Sequence, residues 1–356
     1  MDHSPGDGAA PATPQSVAQL SALLESRADE ARVAADIATL AAGPRGHHHP
    51  EAMARARQHV TEQLTGAGWR VRSVPFQRRW VVGVTDAGGQ PGVLGRLRLF
   101  RELAAVNLIA DRPGSAGGRR ILLVAHLDSV ACGPGADDNA SGVAALLESA
   151  RLLATLPDPP SVVLAIVDME ELGKVGSAAL ARQVSFVRDL DLVVCLESVG
   201  TFSAEPGTQK VQPLGLLFRD LARRIRARQS RGDFLLAICR SSSAGPAEVI
   251  SSAGAALSDP LPVYQARDPR PDGRIGRLLT ALLPPLMHLD RSDHAPFWSR
   301  GVPAMMLTTT AVFRNPHYHR SSDQPHRVNS ARVTAVAVAV AAAAATRFGL
   351  PSRRRG

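Results

Sequence analysis

Cysteine and long apolar segments are both scarce in this sequence. Cysteine occurs three times in 356 residues, at Cys132, Cys195 and Cys239, with no Cys-x-x-Cys pair, which excludes a disulfide scaffold and a cysteine-based zinc site. The first 20 residues contain no basic segment followed by an apolar one, so no secretory signal is visible. The longest apolar run, 333–345, has about 13 residues, fewer than the ~20 of a membrane span. We therefore expect a cytoplasmic protein.

Lysine is also nearly absent. It occurs only at Lys174 and Lys210, so the other 39 of the 41 basic residues are arginine, against 32 acidic residues. A net charge of +9 would ordinarily indicate nucleic acid or an anionic membrane as a partner. The arginines are scattered, however, and accompany heavy use of alanine, glycine and proline, which indicates a compositional bias of the gene. We therefore expect neither nucleic acid nor a membrane as a partner.

A hydrophobic content of 45% is typical of a globular protein large enough to bury a substantial core. Residues 1–16 are rich in Pro, Gly, Ala and Ser and are predicted to be a disordered leader. Residues 17–350 are expected to form a single catalytic domain, and 351–356 a basic tail.

Strands and helices alternate along most of the chain. Hydrophobic periodicity predicts helices over 17–41, after Pro50, from about 140, from 177 and over 330–348, and strands over 69–76, 106–110, 121–125, 162–167, 192–196 and 303–307. The strands 106–110 and 121–125 resemble a hairpin, and 201–290 is difficult to assign. This alternation predicts a three-layer α/β/α sandwich with a mixed, mostly parallel central sheet.

Acidic and imidazole side chains follow several of the predicted strands. They are His126 and Asp128, Asp137 and Asp138, Glu170 and Glu171, Glu197, Asp293 and His294, and His317 and His319. Ligands bind beyond the carboxyl ends of the strands in α/β sheets. Oxygen and nitrogen donors of this kind suit zinc, so we expect a metal site at this edge of the sheet.

Five motifs occur in a specific order: AHLDS, PGADDNASG, EELG followed by GS, SDHAPFW with GVPAMML, and NPHYH with SSD. In these motifs the sequence resembles the M28 zinc aminopeptidases, which are co-catalytic di-zinc peptidases, from about residue 106 to 323. The resemblance implies their α/β fold, two Zn²⁺ ions (or other divalent ions) and a peptide or amino-acid amide as substrate.

The resemblance also implies a role for each matching residue. His126 and Glu197 would bind one zinc, Glu171 and His319 the other, and Asp138 would bridge both. Many family members have Asp where this chain has Glu197. Glu170 would be the general base, Asp128 would orient the His126 ring, and Tyr318 would donate a hydrogen bond to the oxyanion.

The expected function is a zinc-dependent exopeptidase that hydrolyses the N-terminal peptide bond of peptides. The three carboxylates of Asp138, Glu171 and Glu197 offset most of the charge of two divalent ions, and one hydroxide bridging the ions would complete neutrality and supply the nucleophile.

Two alternative functions stay open at this point. One is a narrow-specificity metal-dependent amide hydrolase acting on an N-acyl compound or a biosynthetic intermediate, and the other is an inactive binding module. Individual residues also have simpler interpretations: Asp137 and Asn139 as helix caps, and His47, His48 and His49 as a solvated loop. The oligomeric state is not predicted.

Overall fold

A single sheet of eight strands organises the protein. The computed structural model describes residues 16–84, 97–112, 119–157, 160–212, 214–282 and 284–350, so the predicted leader, except Ser16, and the predicted tail lie outside the described residues. The strands are β1 (Arg70–Val84), β2 (Leu97–Asp111), β3 (Arg120–His126), β4 (Val162–Val167), β5 (Leu190–Glu197), β6 (Leu235–Cys239), β7 (Val263–Arg267) and β8 (Ala304–Thr308).

The strand order is β1-β2-β4-β3-β5-β8-β6-β7. The four central strands β4, β3, β5 and β8 run parallel to one another, as do β6 and β7. The pairs β1–β2, β2–β4 and β6–β8 are antiparallel. The four central strands therefore present their carboxyl ends at one edge of the sheet.

Helices cover both faces of the sheet. They are α1 (Val17–Glu25), α2 (Glu30–Leu40), α3 (Pro50–Gly66), α4 (Gly142–Ala154), α5 (Val175–Leu180), α6 (Val184–Val187), α7 (Leu214–Leu217), α8 (Arg219–Ala227), α9 (Ala244–Ala255), α10 (Arg274–Leu282), α11 (Ala295–Trp298) and α12 (Ser330–Ala345).

Alternate residues of each central strand enter different cores. In β3, Ile121 and Leu123 pack into the core shared with α4 and α12, whereas Leu122 and Val124 pack into the core on the opposite face. Strands that are buried on both faces have continuous apolar sequences, and residues 121–125 form such a segment. The predicted three-layer α/β/α sandwich with a mixed sheet is confirmed.

The structure corrects three element predictions. The helix predicted over 17–41 is two helices, because Asp29 caps the start of α2. The segments 106–110 and 121–125 are not a hairpin: β4 lies between β2 and β3, and β2 pairs with β1 instead. Region 201–290, which the sequence left unassigned, contains β6 and β7 with α7 to α10.

None of the helices found among the described residues has both the length and the apolar character needed to span a membrane.

A buried ion network joins α2, α3 and α4. The Glu148 side chain is fully buried and accepts hydrogen bonds from Arg32 (2.8 and 3.1 Å) and Arg151 (3.2 Å). Arg151 also donates to buried Asp36 (2.8 Å), which His59 contacts at 2.9 Å. A buried carboxylate is tolerated only when it is paired and hydrogen-bonded, so this network fixes how the three helices pack.

A second buried carboxylate, Asp168, follows β4. Its side chain lies 3.3 Å from Arg57 of α3 and accepts a hydrogen bond from the Met169 N–H. Burial and the nearby Asp128 raise the pKa of Asp168 to about 7, although Arg57 opposes the shift. The folded protein therefore holds this proton up to neutral pH.

We expect Arg151→Met to lower the free energy of unfolding by about 3 kcal/mol, because it leaves Glu148 and Asp36 buried with fewer partners. Urea denaturation measures the change. The matched control is Arg72→Met, since Arg72 pairs with Asp111 at the surface and should cost less than about 1 kcal/mol. Equal losses in the two variants would contradict the proposed importance of the network.

We expect Asp168→Asn to flatten the pH dependence of stability. An unfolded aspartate ionises near pH 4, whereas folded Asp168 keeps its proton to about pH 7, so its ionisation costs stability as pH rises through this window. The stability of the variant relative to wild type should increase between pH 5 and 8 by at most about 3 kcal/mol. Asp220→Asn, at an exposed site, is the control. A wild-type pH profile retained in Asp168→Asn would disprove the assignment.

Candidate metal centre

The five predicted metal ligands meet at the carboxyl edge of the central strands. His126 is the last residue of β3, Glu197 is the last of β5, and Glu171 lies in the turn after β4. Asp138 lies in the turn before α4, and His319 lies in the segment after β8. Because the strands are parallel, residues far apart in sequence converge here.

The ligands form two groups that share one carboxylate. His126 Nε2 lies 3.2 Å from Asp138 Oδ1 and 3.2 Å from Glu197 Oε2. His319 Nε2 lies 3.0 Å from Asp138 Oδ2 and 3.1 Å from Glu171 Oε2. Within each group the potential ligand atoms are all within 4.8 Å of one another. Asp138 thus directs one oxygen to each group.

The donor atoms of both groups fit a metal pair. His126 Nε2, both Asp138 carboxylate oxygens, Glu171 Oε1 and His319 Nε2 are buried and make no hydrogen bond. Buried polar atoms without partners are rare in folded proteins, and bound metal ions would satisfy all of these atoms. Each group supplies imidazole nitrogen and carboxylate oxygen, the ligand set of zinc sites that keep an open position.

The pKa of each ligand depends strongly on burial and on the charges of the other ligands. Burial would lower the pKa of His126, but the surrounding carboxylates, Glu197 first, raise it well above its ordinary value. The pKa of His319 is raised in the same way, chiefly by Glu171. Burial opposes the shift at Asp138, yet the two imidazoles hold its pKa well below its usual range. Burial raises the pKa of Glu171 to about 7 although His319 opposes it.

Two aspartates fix the main chain that carries the ligands. Asp128 accepts the N–H groups of Glu170 (3.1 Å) and Glu171 (3.0 Å). His126 Nδ1 lies 3.0 Å from the Asp128 carbonyl oxygen and 3.5 Å from its carboxylate, so Asp128 holds the ring mainly through its backbone. The Asp323 carboxylate accepts the N–H groups of Asp138 (3.1 Å) and of the residue before it, Asp137 (3.1 Å). Asp323 belongs to the SSD motif, but its role was not predicted from the sequence.

Asp137 and Asn139 do not cap α4 as predicted. The Asp137 carboxylate accepts hydrogen bonds from the Gly200 N–H (2.8 Å), Thr201 Oγ1 (2.6 Å) and Asn315 Nδ2 (2.8 Å). The Asn139 side chain bonds instead to the main chain at the end of β5. Both residues tie the turn that carries Asp138 to neighbouring loops, because a buried turn has tertiary partners that an exposed helix start lacks.

One glycine is required for this turn. Gly135 has φ of +59°, and a Cβ there would lie 2.1 Å from the Asp138 carbonyl oxygen. Any side chain at this position would displace the shared ligand.

Glu170 and Tyr318 border the two ligand groups. Burial raises the pKa of Glu170 well above its ordinary value; His126 opposes this shift, and Asp293 adds to it. The Tyr318 ring stacks on His319 with centroids 3.9 Å apart. Burial and nearby Asp138 raise the pKa of the Tyr318 phenol, so the hydroxyl stays protonated and can donate a hydrogen bond.

Arg45 was missed in the sequence because its role depends on distant residues. Its buried guanidinium donates to the carbonyl oxygens of Leu127 (2.6 Å), Pro134 and Gly135 (3.0 Å). These bonds close the loop between β3 and the turn of Asp138. Burial lowers the pKa of Arg45 to about 10, partly offset by Asp128, so it remains a fixed cation beneath the acidic centre.

Other candidates lie apart from the two groups. Within the described part of the chain, neither group includes His47, His48, His49 or His294. Asp293 is buried beside the centre and accepts a hydrogen bond from Ser177. His294 Nε2 lies 2.7 Å from the Leu289 carbonyl oxygen, and His317 Nδ1 lies 2.9 Å from Ser322 Oγ.

Curated relatives match the chain over different lengths. The uncharacterized protein YfbL of Escherichia coli is 32% identical over 245 residues, which are 65% of this chain and 67% of YfbL. Aminopeptidase YwaD of Bacillus subtilis is 36% identical over 112 residues, which are 30% of this chain but only 25% of YwaD.

Solved structures share the fold at low identity. The aminopeptidase from Aneurinibacillus sp. strain AM-1 superposes with a TM-score of 0.62 at 17% identity, over 94% of this chain and 97% of that one. BSAP, a zinc aminopeptidase from Bacillus subtilis, gives 0.62 at 15% identity over 90% and 94%. Porphyromonas gingivalis glutaminyl cyclase gives 0.57 at 17% identity over 90% and 97%. These likenesses confirm the fold.

The sequence profile of Peptidase family M28 matches residues 107–235 and 276–344. These segments contain His126, Asp138, Glu171, Glu197 and His319, and together they exceed half of the chain. The match confirms the family indicated by the five motifs, and the chain belongs to peptidase family M28.

Proposed function

We propose that this protein is a zinc-dependent aminopeptidase that removes the N-terminal residue of peptides. The observation that carries the proposal is the pair of ligand groups joined through buried Asp138. A single-metal site would need only one group, and a binding module would have no reason to leave buried atoms of two carboxylates and two imidazoles without hydrogen-bond partners. The names of YwaD and BSAP, an aminopeptidase and a zinc aminopeptidase, support the same activity.

His126, Glu197 and Asp138 would hold one zinc ion, and Asp138, Glu171 and His319 the other. Bound zinc would polarise the scissile carbonyl and acidify the attacking water. Ser292 donates to Glu197 Oε2 (2.7 Å) and Ser198 to Oε1 (3.1 Å), so the longer Glu at this position is oriented from both sides.

Glu170 is proposed to accept the proton of the attacking water at its carboxylate and deliver it to the leaving amine. Its raised pKa suits the second half of this role, because a carboxyl group with a raised pKa holds the accepted proton more readily until the amine leaves. Tyr318 is proposed to donate a hydrogen bond from its hydroxyl to the oxygen of the scissile carbonyl as negative charge develops there.

An apolar pocket adjoins the ligand Glu197 and the proposed oxyanion donor Tyr318. Its wall consists largely of aliphatic and aromatic side chains from β6, β8 and the segment after β8: Leu236, Ile238, Met306, Val312 and Phe313. We propose that it receives the side chain of the N-terminal residue. Apolar side chains should therefore be preferred over charged ones at that position.

The activity is tested with paired substrates. Zinc-loaded protein should hydrolyse leucine amide and leucyl peptides, and the N-acetylated forms should react at least about 100-fold more slowly, because an exopeptidase requires the free amine. Elemental analysis should find two zinc ions per chain, and chelation should abolish hydrolysis. Faster reaction of the N-acetylated forms would favour the amide-hydrolase alternative, and zinc binding without any hydrolysis would favour the binding module.

We expect Glu170→Gln to lower kcat by about 10²- to 10⁴-fold, the usual contribution of a general acid–base group. Zinc content should stay at the wild-type value, since Glu170 belongs to neither ligand group. The control is Glu205→Gln, in an exposed loop, which should retain wild-type kcat. Loss of zinc in Glu170→Gln, or a kcat within a few-fold of wild type, would exclude Glu170 as the proton carrier.

A further inference from the structure

Helix α10 presents an apolar face to solvent. Ile275, Leu278 and Leu282 are 66, 62 and 65% exposed, and their i, i+3, i+7 spacing places them on one side of the helix. We call these three residues the apolar stripe. Single exposed aliphatic side chains are ordinary, but an aligned set is typical of an interaction site.

The opposite side of α10 explains why the apolar stripe cannot turn inward. Gly276 is buried, and a Cβ there would lie 2.0 Å from the Pro271 carbonyl oxygen, so only glycine allows this close approach. Thr280 donates a hydrogen bond to Asp290 (3.0 Å) and accepts one from Arg270. These contacts fix the rotation of the helix and force the apolar stripe outward.

A cleft lined by basic residues runs beside the apolar stripe. Arg240 lines the cleft but is paired with Asp268 at 3.0 Å. The other basic residues come from α10, from the ends of α5 and from the end of α11: Lys174, Arg182, Arg274, Arg277 and Arg300. We call them the basic cleft. None of the five has a carboxylate within 4.0 Å among the described residues. Asp290, which also lines the cleft, is already paired with Arg270.

The positive charges of the basic cleft are close enough to affect one another. Partial burial lowers the pKa of Arg182, and the charges of Arg78, Arg300 and Arg277 lower it further. Cations held together without counterions make an anion-binding surface.

We propose that the apolar stripe and the basic cleft together form a docking surface for an anionic membrane surface. Aliphatic side chains at the outer side of α10 would enter the interface between headgroups and acyl chains, while the arginines bind lipid phosphate groups. The proposal is independent of the peptidase activity and departs from the expectation, drawn from composition, that no membrane is involved.

Charge and chemistry favour a membrane surface over two other partners, a second copy of the chain and nucleic acid. In a two-fold symmetric pair, the arginines beside one copy's stripe would approach those of the other copy, so a second copy is disfavoured. Nucleic acid would engage the arginines but would leave the aliphatic stripe without a partner, because single strands bind by stacking on aromatic rings and α10 contains none.

Vesicle co-sedimentation of the zinc-loaded protein tests the proposal. Wild type should bind vesicles of equal parts phosphatidylcholine and phosphatidylglycerol, bind pure phosphatidylcholine at least about tenfold more weakly, and lose affinity as salt increases. Arg274→Gln with Arg277→Gln should weaken binding about fivefold for each arginine removed. Ile275→Ser, Leu278→Ser and Leu282→Ser combined should weaken it at least about tenfold.

The matched controls are Arg226→Gln, at an exposed arginine of α8, and Leu217→Ser, at an exposed leucine of α7; both should bind like wild type. Hydrolysis of leucine amide or, should that activity be absent, the circular dichroism spectrum shows that the variants remain folded. Equal binding to both vesicle types, or binding unaffected by either set of variants, would overturn the proposal. A wild-type dimer in sedimentation velocity that the stripe variant dissociates would overturn it in favour of a second copy.

Discussion

The structure depends on placing several carboxylates within a few ångströms of one another in a buried position. Asp138, Glu171 and Glu197 are all buried at one edge of the sheet, with Asp128, Asp293 and Asp323 close behind. Uncompensated negative charge in such a place is prohibitively costly. The protein offsets it with imidazoles, with a buried arginine and with main-chain N–H groups, and the remaining excess is what two divalent cations would neutralise.

This constraint explains the role of residues that are not themselves metal ligands. Asp128 and Asp323 each accept two main-chain N–H groups, from the turns that carry Glu171 and Asp138. Arg45 closes the loop between β3 and the turn of Asp138. Because hydrogen bonds to buried charged groups are both strong and costly to lose, these contacts restrict the ligand side chains to one arrangement. Preorganisation of this kind is what a metal centre requires of its surroundings.

The excess of arginine has two distinct structural consequences. Some arginines are buried or largely buried and serve as fixed internal cations: Arg45 and Arg314 are buried, and the Arg151 side chain is 11% exposed. Others are exposed without a carboxylate partner and accumulate around the basic cleft. The planar guanidinium suits the first use because its several donors can satisfy carbonyl oxygens from different loops. The exposed arginines of the basic cleft have no carboxylate partner within the fold, so their charge indicates an external anion.

The sequence by itself determined the layer architecture, the family and the five ligand candidates. A buried parallel strand is an uninterrupted apolar run in the sequence, and the ligand candidates come directly after such runs. Both features can be recognised from neighbouring residues alone. The tertiary structure decided the rest. It inserted β4 between β2 and β3, because strand order depends on packing between distant segments. It also turned Asp137 and Asn139 from predicted caps into tethers between loops, and it gave Arg45 and Asp323 their roles. These hydrogen bonds join residues that are 57 to 186 positions apart in the chain. A hydrogen-bond partner at such a distance leaves no periodicity in the sequence, which is the physical reason that these roles could not be predicted from it.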